Sequence, residues 1–371
     1  MNEQFWWTLI FLVWLPIAFL VSAGVCRYVL TTTKKKQLQK TTSTEFDLPM
    51  QVRWRQTSKP FAGGIAFFSV FILAALFSGY FFIWPFFTTQ LKPFLGLTVA
   101  CFVGFAIGRA DDTMHLSPKF KLFGQFLAIF VLVIHGVVIT AFGNWWLNIM
   151  LTFFWGVGIM NAINLFDNMD GVATIASIGS ILAMLGVLTN NHFPDAFTFW
   201  MLSLLIACLG SLLGYLYYNF YPAKVYMGDA GSQFLGVFLA GSAILILWPR
   251  FGVPNEAGFF WPQFVLPILA FLPPLIDTTT VTLWRLKQGK SPLQGGRDHT
   301  THHLFYAGFS EKKIAIGLFL FGIIQAVFCY YLANIVGLNN PSHWAFVAGA
   351  LYCTIVMAGV LYVYTKTKAK Q

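Results

Sequence analysis

Residues 145–171 read WWLNIMLTFFWGVGIMNAINLFDNMDG. A largely apolar run from Trp145 to Met160 passes directly into polar side chains at Asn161, Asn164, Asp167 and Asp170, with Asn168 between them. About 20 apolar residues of helix cross a bilayer core, so the run reads as most of a membrane span. Polar residues at every third position drift slowly round a helix axis and form a curved polar wall. Such a wall cannot face lipid. One Asn could be interhelical glue, but five such side chains in one short stretch are poorly explained that way. Their amide and carboxylate oxygens are hard donors, suited to Mg²⁺ and to ribose hydroxyls.

The rest of the chain agrees with a membrane reading. Of 371 residues, 57% are apolar, 18% aromatic and only 10% charged, with mean hydropathy +0.70. A soluble chain carries about a quarter of its residues as charges, so most of this surface faces lipid. Eleven apolar runs are expected to cross: Phe5 to Val29, Phe61 to Trp84, Phe94 to Gly108, Leu122 to Phe142, Trp145 to Met160, Val172 to Thr189, Phe197 to Tyr217, Ser232 to Trp248, Phe259 to Leu283, Ile314 to Val336 and His343 to Tyr364. The fold class is therefore all-α, a single polytopic membrane domain over residues 1–371. The first run is read as a retained span, since its basic residues follow it rather than precede it. With the N-terminus outside and the C-terminus cytoplasmic, every Lys and Arg except Lys92 and Arg250 falls on the inner side, as the positive-inside rule requires. The polar cytoplasmic loop is placed at 31–59, and the loops expected to carry chemistry at 109–121, 161–171, 219–231 and 285–313. The net charge of +10 then suits anionic lipid head groups and phosphates. It does not suggest nucleic acid, since no soluble domain exists to carry a binding face. The five cysteines lie in apolar runs without paired spacing and read as packing residues.

Acidic residues at membrane depth are expensive and need a function or a partner. Seven of the 13 gather at inner ends of spans: Asp111, Asp112, Asp167, Asp170, Asp229, Asp277 and Asp298. Asp111 and Asp112 sit side by side and must be compensated, either by a divalent metal or by Arg109, Lys119 and Lys121; a charged helix end is the plain alternative. In Tyr226-Met227-Gly228-Asp229-Ala230-Gly231-Ser232 the glycines would let backbone amides approach a phosphate where the next helix starts; most such segments are simply turns. In Gly295-Gly296-Arg297-Asp298-His299-Thr300-Thr301-His302-His303-Leu304 the Arg and His donors suit a pyrophosphate, while the three His also admit zinc, less well because an independent second ligand pair is missing.

Together with Lys59-Pro60-Phe61-Ala62-Gly63-Gly64, these segments stand in the order found in the polyprenyl-phosphate N-acetylhexosamine-1-phosphate transferase superfamily, which the chain resembles from about Pro60 to Phe309. The resemblance implies transfer of a sugar-1-phosphate from a UDP-sugar to a polyprenyl (undecaprenyl) phosphate at the inner (plasma) membrane, releasing UMP and starting a cell-envelope glycan. It implies Mg²⁺ as cofactor, with Mn²⁺ as a substitute, and catalytic carboxylates at Asp111, Asp112, Asp167 and Asp229. Asp229 with Asn164 would hold the metal. Asp170, Asn168 and Met169 would meet the uridine and Tyr226 would stack on uracil. Lys59, Lys119, Lys121, Asn161, Arg297, Asp298, His299, His302 and His303 complete the implied substrate set. A homodimer is compatible with the resemblance.

Two departures bear on the donor. Asn168 stands where much of the family has glycine, and the basic loop lacks the three consecutive histidines of the muramyl-pentapeptide branch. Both the loop and the span count favour an N-acetylhexosamine donor, GlcNAc foremost. The competing class is a cation- or proton-coupled transporter using its intramembrane carboxylates. Transporters place such groups near the midplane and often in two related halves; here they lie at helix ends without a visible repeat.

Overall fold

The computed structural model describes residues 10–40, 59–83, 90–188, 195–251, 261–291, 296–335 and 343–367. Its helices are α1 (Leu15–Lys40), α2 (Gly63–Ser78), α3 (Leu91–Met114), α4 (Pro118–Ile134), α5 (Trp145–Phe166), α6 (Val172–Leu188), α7 (Ala196–Asn219), α8 (Gly228–Ile246), α9 (Val265–Ala270), α10 (Leu272–Lys287), α11 (Thr300–Tyr306), α12 (Glu311–Ile335) and α13 (His343–Lys366). No strand is present among the described residues. This is an all-α, multi-pass membrane protein.

Local chemistry sets the helix ends. α3 stops where His115 turns left-handed at φ 51° and donates its N–H to the Asp111 carbonyl; Pro118 then starts α4, a first-turn position where its missing N–H costs nothing. Asn144 opens α5 by accepting from the Trp146 and Leu147 amides at 2.9 and 3.3 Å. Asp195 does the same for α7, accepting from Thr198 N at 2.9 Å. Side-chain caps of this kind satisfy amides that a helix start leaves open.

α8 is the hub: it is buried along nearly its whole length, and it packs on α2, α3, α5 and α6. Small residues allow this. A Cβ on Gly236 would lie 2.6 Å from Met160 Cα of α5, and one on Gly108 of α3 only 2.2 Å from the Asp229 carbonyl oxygen. Helices therefore cross at backbone contact next to the acidic segments.

Each of the eleven expected runs contains helix, but they are not alike. Eight helices among the described residues are long and apolar enough to cross a membrane. α4 and α6 have 17 residues each, about 25 Å of rise against a core of about 30 Å. The run from Phe259 to Leu283 is not one rod: it bends by 90° between Ala270 and Leu272, where Pro273 and Pro274 cannot continue the hydrogen-bond ladder. α4 ends at Ile134, eight residues before the expected limit, because Gly136 adopts φ 80°. At the other edge α1 continues through Lys34 to Lys40, so the expected loop at 31–59 begins as helix; residues 41–58 lie outside the described residues.

Candidate active site

Four helix ends meet at one end of the bundle: the C-terminal ends of α3 and α5 and the N-terminal ends of α4 and α8. Their polar side chains form one connected group. Lys121 Nζ lies 3.0 Å from Asp111 Oδ2 and also contacts Asp229 Oδ1. Asn164 Nδ2 donates to Asp229 Oδ1 and to Ser232 Oγ, both at 2.8 Å. Asp111 Oδ1 accepts from Leu116 N at 2.9 Å, which folds the α3–α4 turn back over it.

Asp112 goes elsewhere. Its two oxygens accept from the Asp229 and Ala230 amides at 2.7 and 3.1 Å, so it caps α8 from another helix, where a carboxylate is favoured by the helix dipole. Gly228, the first residue of α8, has φ 75°, and a Cβ there would come within 2.8 Å of Asp112 Oδ2. The α8 amides expected to receive a phosphate are thus occupied by the nearest anion of the chain itself. The adjacent carboxylates escape mutual repulsion by dividing their countercharges, Lys121 for Asp111 and a helix start for Asp112.

A second part of the site surrounds Tyr226. Residues 60–64 run beside 226–227: Tyr226 N donates to Pro60 O at 3.0 Å, Ala62 N to Tyr226 O at 3.0 Å and Gly64 N to Met227 O at 3.2 Å. This brings Lys59 Nζ over the Tyr226 ring, 5.0 Å from its centroid, a cation–π distance. The α5–α6 turn is tied to the same segment. Asp170 Oδ2 accepts from Ala223 N at 2.9 Å, and buried Asn219 accepts from Gly171 N at 3.1 Å while donating to Val225 O at 3.0 Å. Met169 is buried against Phe166, Val172, Ala176 and Ile314; Asp167 ends α5, its N–H donating to Asn164 O.

The third part is the basic loop. Arg285 holds Asp298 through Nε at 2.8 Å and Nη2 at 2.6 Å. His299 Nδ1 meets buried Asp277 at 2.8 Å, and the other Asp277 oxygen accepts from Thr300 N at 2.6 Å, opening α11. His303 stacks on Tyr364 of α13 and its Nδ1 lies 2.7 Å from Thr367 Oγ1. Thr301 Oγ1 donates to Asn168 Oδ1 at 2.6 Å, joining this loop to the α5–α6 turn. Burial pushes the His302 imidazole down to about 3, assisted by the charge of His299, and burial likewise lowers His303. Burial raises the Asp298 carboxyl, but the hydrogen bonds and charge of Arg285 outweigh it and hold the group below its ordinary value.

Asp111, Asp112, Lys121, Asn164 and Asp229 are therefore brought into one hydrogen-bonded group. Lys119 and Arg297 are exposed, whereas His299, His302 and His303 are buried beneath the loop surface. Asn161 lies one turn deeper than Asn164, bonded to Gln125. Sequence reading did not select Gln125, Gln233, Asn219, Arg285 or the role of Asp277. A signal was present for two of them: Gln125 and Gln233 stand four residues after Lys121 and Asp229 in otherwise apolar stretches. Among the described residues no three His, Cys, Asp or Glu side chains group as a metal cage.

The model of glycosyl transferase family 4 matches residues 94–247, the stretch that holds Asp111, Lys121, Asn164 and Asp229. The chain is 30% identical over 293 residues to a protein of Bacillus subtilis described as a probable undecaprenyl-phosphate N-acetylglucosaminyl 1-phosphate transferase, covering 76% of this chain and 75% of that one. It is also 30% identical over 250 residues to the decaprenyl-phosphate N-acetylglucosaminephosphotransferase of Mycolicibacterium smegmatis, covering 60% and 61%. A phospho-N-acetylmuramoyl-pentapeptide-transferase of Kosmotoga olearia is 30% identical over 280 residues, covering 70% and 79%.

Proposed function

From the membership of this chain in glycosyl transferase family 4, we propose that it transfers N-acetylhexosamine-1-phosphate, GlcNAc foremost, from a UDP-sugar to a polyprenyl phosphate. An oxygen of the lipid phosphate attacks the β-phosphorus of the donor, the bond to the α-phosphate oxygen breaks, and UMP leaves. The observation that carries the reading is the Lys121 ammonium held between Asp111 and Asp229 at the meeting of four helix ends. Phosphoryl transfer needs mainly alignment and neutralisation of charge, and a cation on two carboxylates at a membrane end offers both to an anionic lipid and an anionic nucleotide.

Each part of the site has work to do under this reading. Asp111 positions the attacking phosphate and Lys121 moves its charge onto a phosphate oxygen. Tyr226, with Lys59 over its ring, offers a face to uracil, and exposed Arg297 meets the pyrophosphate. The donor set fits Mg²⁺, which commonly takes one or two carboxylates and completes its shell with substrate phosphates and water; Asp229 and Asn164 would hold it, and it would neutralise charge on the pyrophosphate. In the bilayer α4, α6 and the bent α9–α10 pair count as crossings, giving eleven with the N-terminus outside and the site cytoplasmic, because only Lys92 and Arg250 of the basic residues then face outward.

The test is to incubate the purified protein with polyprenyl phosphate, Mg²⁺ and a panel of UDP-sugars and measure UMP, with chelator as control. UMP with UDP-N-acetylhexosamines, lost on chelation, is expected. UMP only with UDP-N-acetylmuramoyl-pentapeptide would move the donor to the branch of the Kosmotoga olearia relative, and none with any donor would overturn the reading.

A further inference from the structure

One helical turn below Lys121, Asn164 and Asp229 the same three helices meet again. Lys121 is followed on α4 by Gln125, Asp229 on α8 by Gln233, and Asn164 is preceded on α5 by Asn161. Residues three or four apart share a helix face, so each helix gives one side chain to the upper layer and one to the lower. The lower layer is also joined by hydrogen bonds, all through Gln125. Gln125 Nε2 donates to Gln233 Oε1 at 3.0 Å and to Asn161 Oδ1 at 3.2 Å, and Gln125 Oε1 accepts from Asn161 Nδ2 at 2.9 Å. Gln125 uses both amide hydrogens and its oxygen, so it is the joint of the layer. Gln125 and Gln233 are 1% and 0% exposed, and Asn161 Nδ2 also donates to the Val157 carbonyl of its own helix at 2.9 Å.

We propose that Gln125, Asn161 and Gln233 are positioning residues that lock the axial register of α4, α5 and α8, and thereby set the spacing of Lys121, Asn164 and Asp229 for the reaction. Apolar packing alone fixes register weakly, because a Leu or Phe facing another helix gains nearly as much after a small slide. A buried amide loses its hydrogen bonds on the same slide and finds no water to replace them. The lock has a specific need here. Lys121 of α4 reaches Asp229 while still holding Asp111 of α3 only while α4 and α8 keep their present offset, and Asn164 reaches Asp229 and Ser232 only while α5 keeps its own. Asn161, expected from sequence at the substrate, thus acts through Gln125 on the layer above. Unsatisfied Gln233 Nε2 faces the same interior, which makes the layer costly to retain for packing alone.

The inference rests on the proposed transfer reaction, so the decisive test reads geometry as well as turnover. The variant Q125L/N161L/Q233L replaces the whole layer by side chains of similar volume and leaves no orphan amide, which favours folding. It is expected to keep a single sharp thermal midpoint near that of the wild type, lose at least tenfold in UMP release, and hold the donor KM within about twofold. Adding Lys121→Met should cost no more than Lys121→Met alone, since both act on one arrangement; a merely structural layer would give additive losses. Independently of activity, Lys121→Cys with Asp229→Cys should be joined by a short bifunctional thiol reagent at least fivefold more slowly in the leucine background. Should that background fail to fold, the single change Gln233→Leu, which leaves the Gln125–Asn161 pair, carries the same crosslinking and turnover comparison. Equal crosslinking rates, or wild-type turnover in the folded variant, overturn the lock. Crosslinking that slows as expected in the leucine background, together with no UMP release from the unsubstituted protein, overturns the functional reading instead.

Discussion

At the scale of residues, two neighbouring aspartates of one helix do different things. Asp111 faces Lys121, while Asp112 caps α8 through two backbone amides. Replacing Asp112 by Ala leaves both amides without acceptors, and loss of a helix cap costs about 1 kcal/mol, up to about 2. Asp112→Ala is therefore expected to lower the thermal midpoint in detergent clearly, with Asp112→Asn recovering part of it because one oxygen remains. Asp111→Asn should shift the midpoint less and reduce UMP release at least a hundredfold. A phosphate monoester has its second pKa near ~6, so the lipid phosphate is already mostly dianionic at neutral pH. The Asp111→Asn defect should then persist when pH is raised to 9; full rescue would mean that Asp111 serves as a base.

At the scale of elements, the site depends on how closely α3 and α8 cross. A Cβ on Gly108 would stand 2.2 Å from the Asp229 carbonyl oxygen and 2.6 Å from Ala230 Cα. Backbone cannot rotate away as a side chain can, so Gly108→Ala must part the helices. Overpacking costs typically about 1–3 kcal/mol, and here it also moves Asp229 from Lys121. A lower thermal midpoint together with a large loss of turnover is expected, and a variant normal in both would contradict the crossing. The basic loop makes a different prediction. His302 and His303 bind protons less readily when folded than when unfolded. Their neutral state is favoured by the fold, so the stability they support is complete above the unfolded pKa of about 6.5 and declines as pH falls below it. Asp298, held low by Arg285, adds stability that declines only at lower pH still, below the unfolded value of about 3.9. Hydrogen exchange across Thr300–Tyr306, corrected for intrinsic rates, should be faster at pH 5.5 than at 7.5; no change would show that the imidazoles are not held neutral by burial.

At the scale of the whole molecule, the polar groups of the candidate site lie at one end of the bundle, opposite the Asn144 cap of α5, and the proposed orientation puts the site end in the cytoplasm. Lys119 is exposed at this end, while four of the five native cysteines are buried and Cys353 is partly so. Lys119→Cys should react with a membrane-impermeant maleimide in inverted vesicles and not in intact cells. Labelling in intact cells would reverse the orientation. The 90° break between α9 and α10 belongs to this scale too. It carries α10 away from the line of a simple span and brings Asp277 and Arg285 to the loop that holds Asp298 and His299.

The apolar helices and the gathering of carboxylates at their ends were legible in the sequence, because each follows from a local cost: charge in lipid, or backbone without water. Asn164, Lys121, Asp111 and Asp229 could be nominated for the same reason, as polar groups that lipid would not tolerate without a partner. Which partner each one takes was not legible. Asp111 and Asp112 are adjacent in sequence, yet a helix turns each residue by about 100°, so one faces Lys121 and the other faces α8. Gln125 and Gln233 each stand four residues after a site residue in an apolar stretch, but they are 108 residues apart, and nothing local to either says that the two meet. The break at Phe271 was masked by an apolar run whose composition is the same whether the helix is straight or bent. Pairing across helices depends on axial offset and rotation, and those are set only when the helices close on one another, through the glycine contacts of α3 and α8 and of α5 and α8 and the amide contacts of α4, α5 and α8.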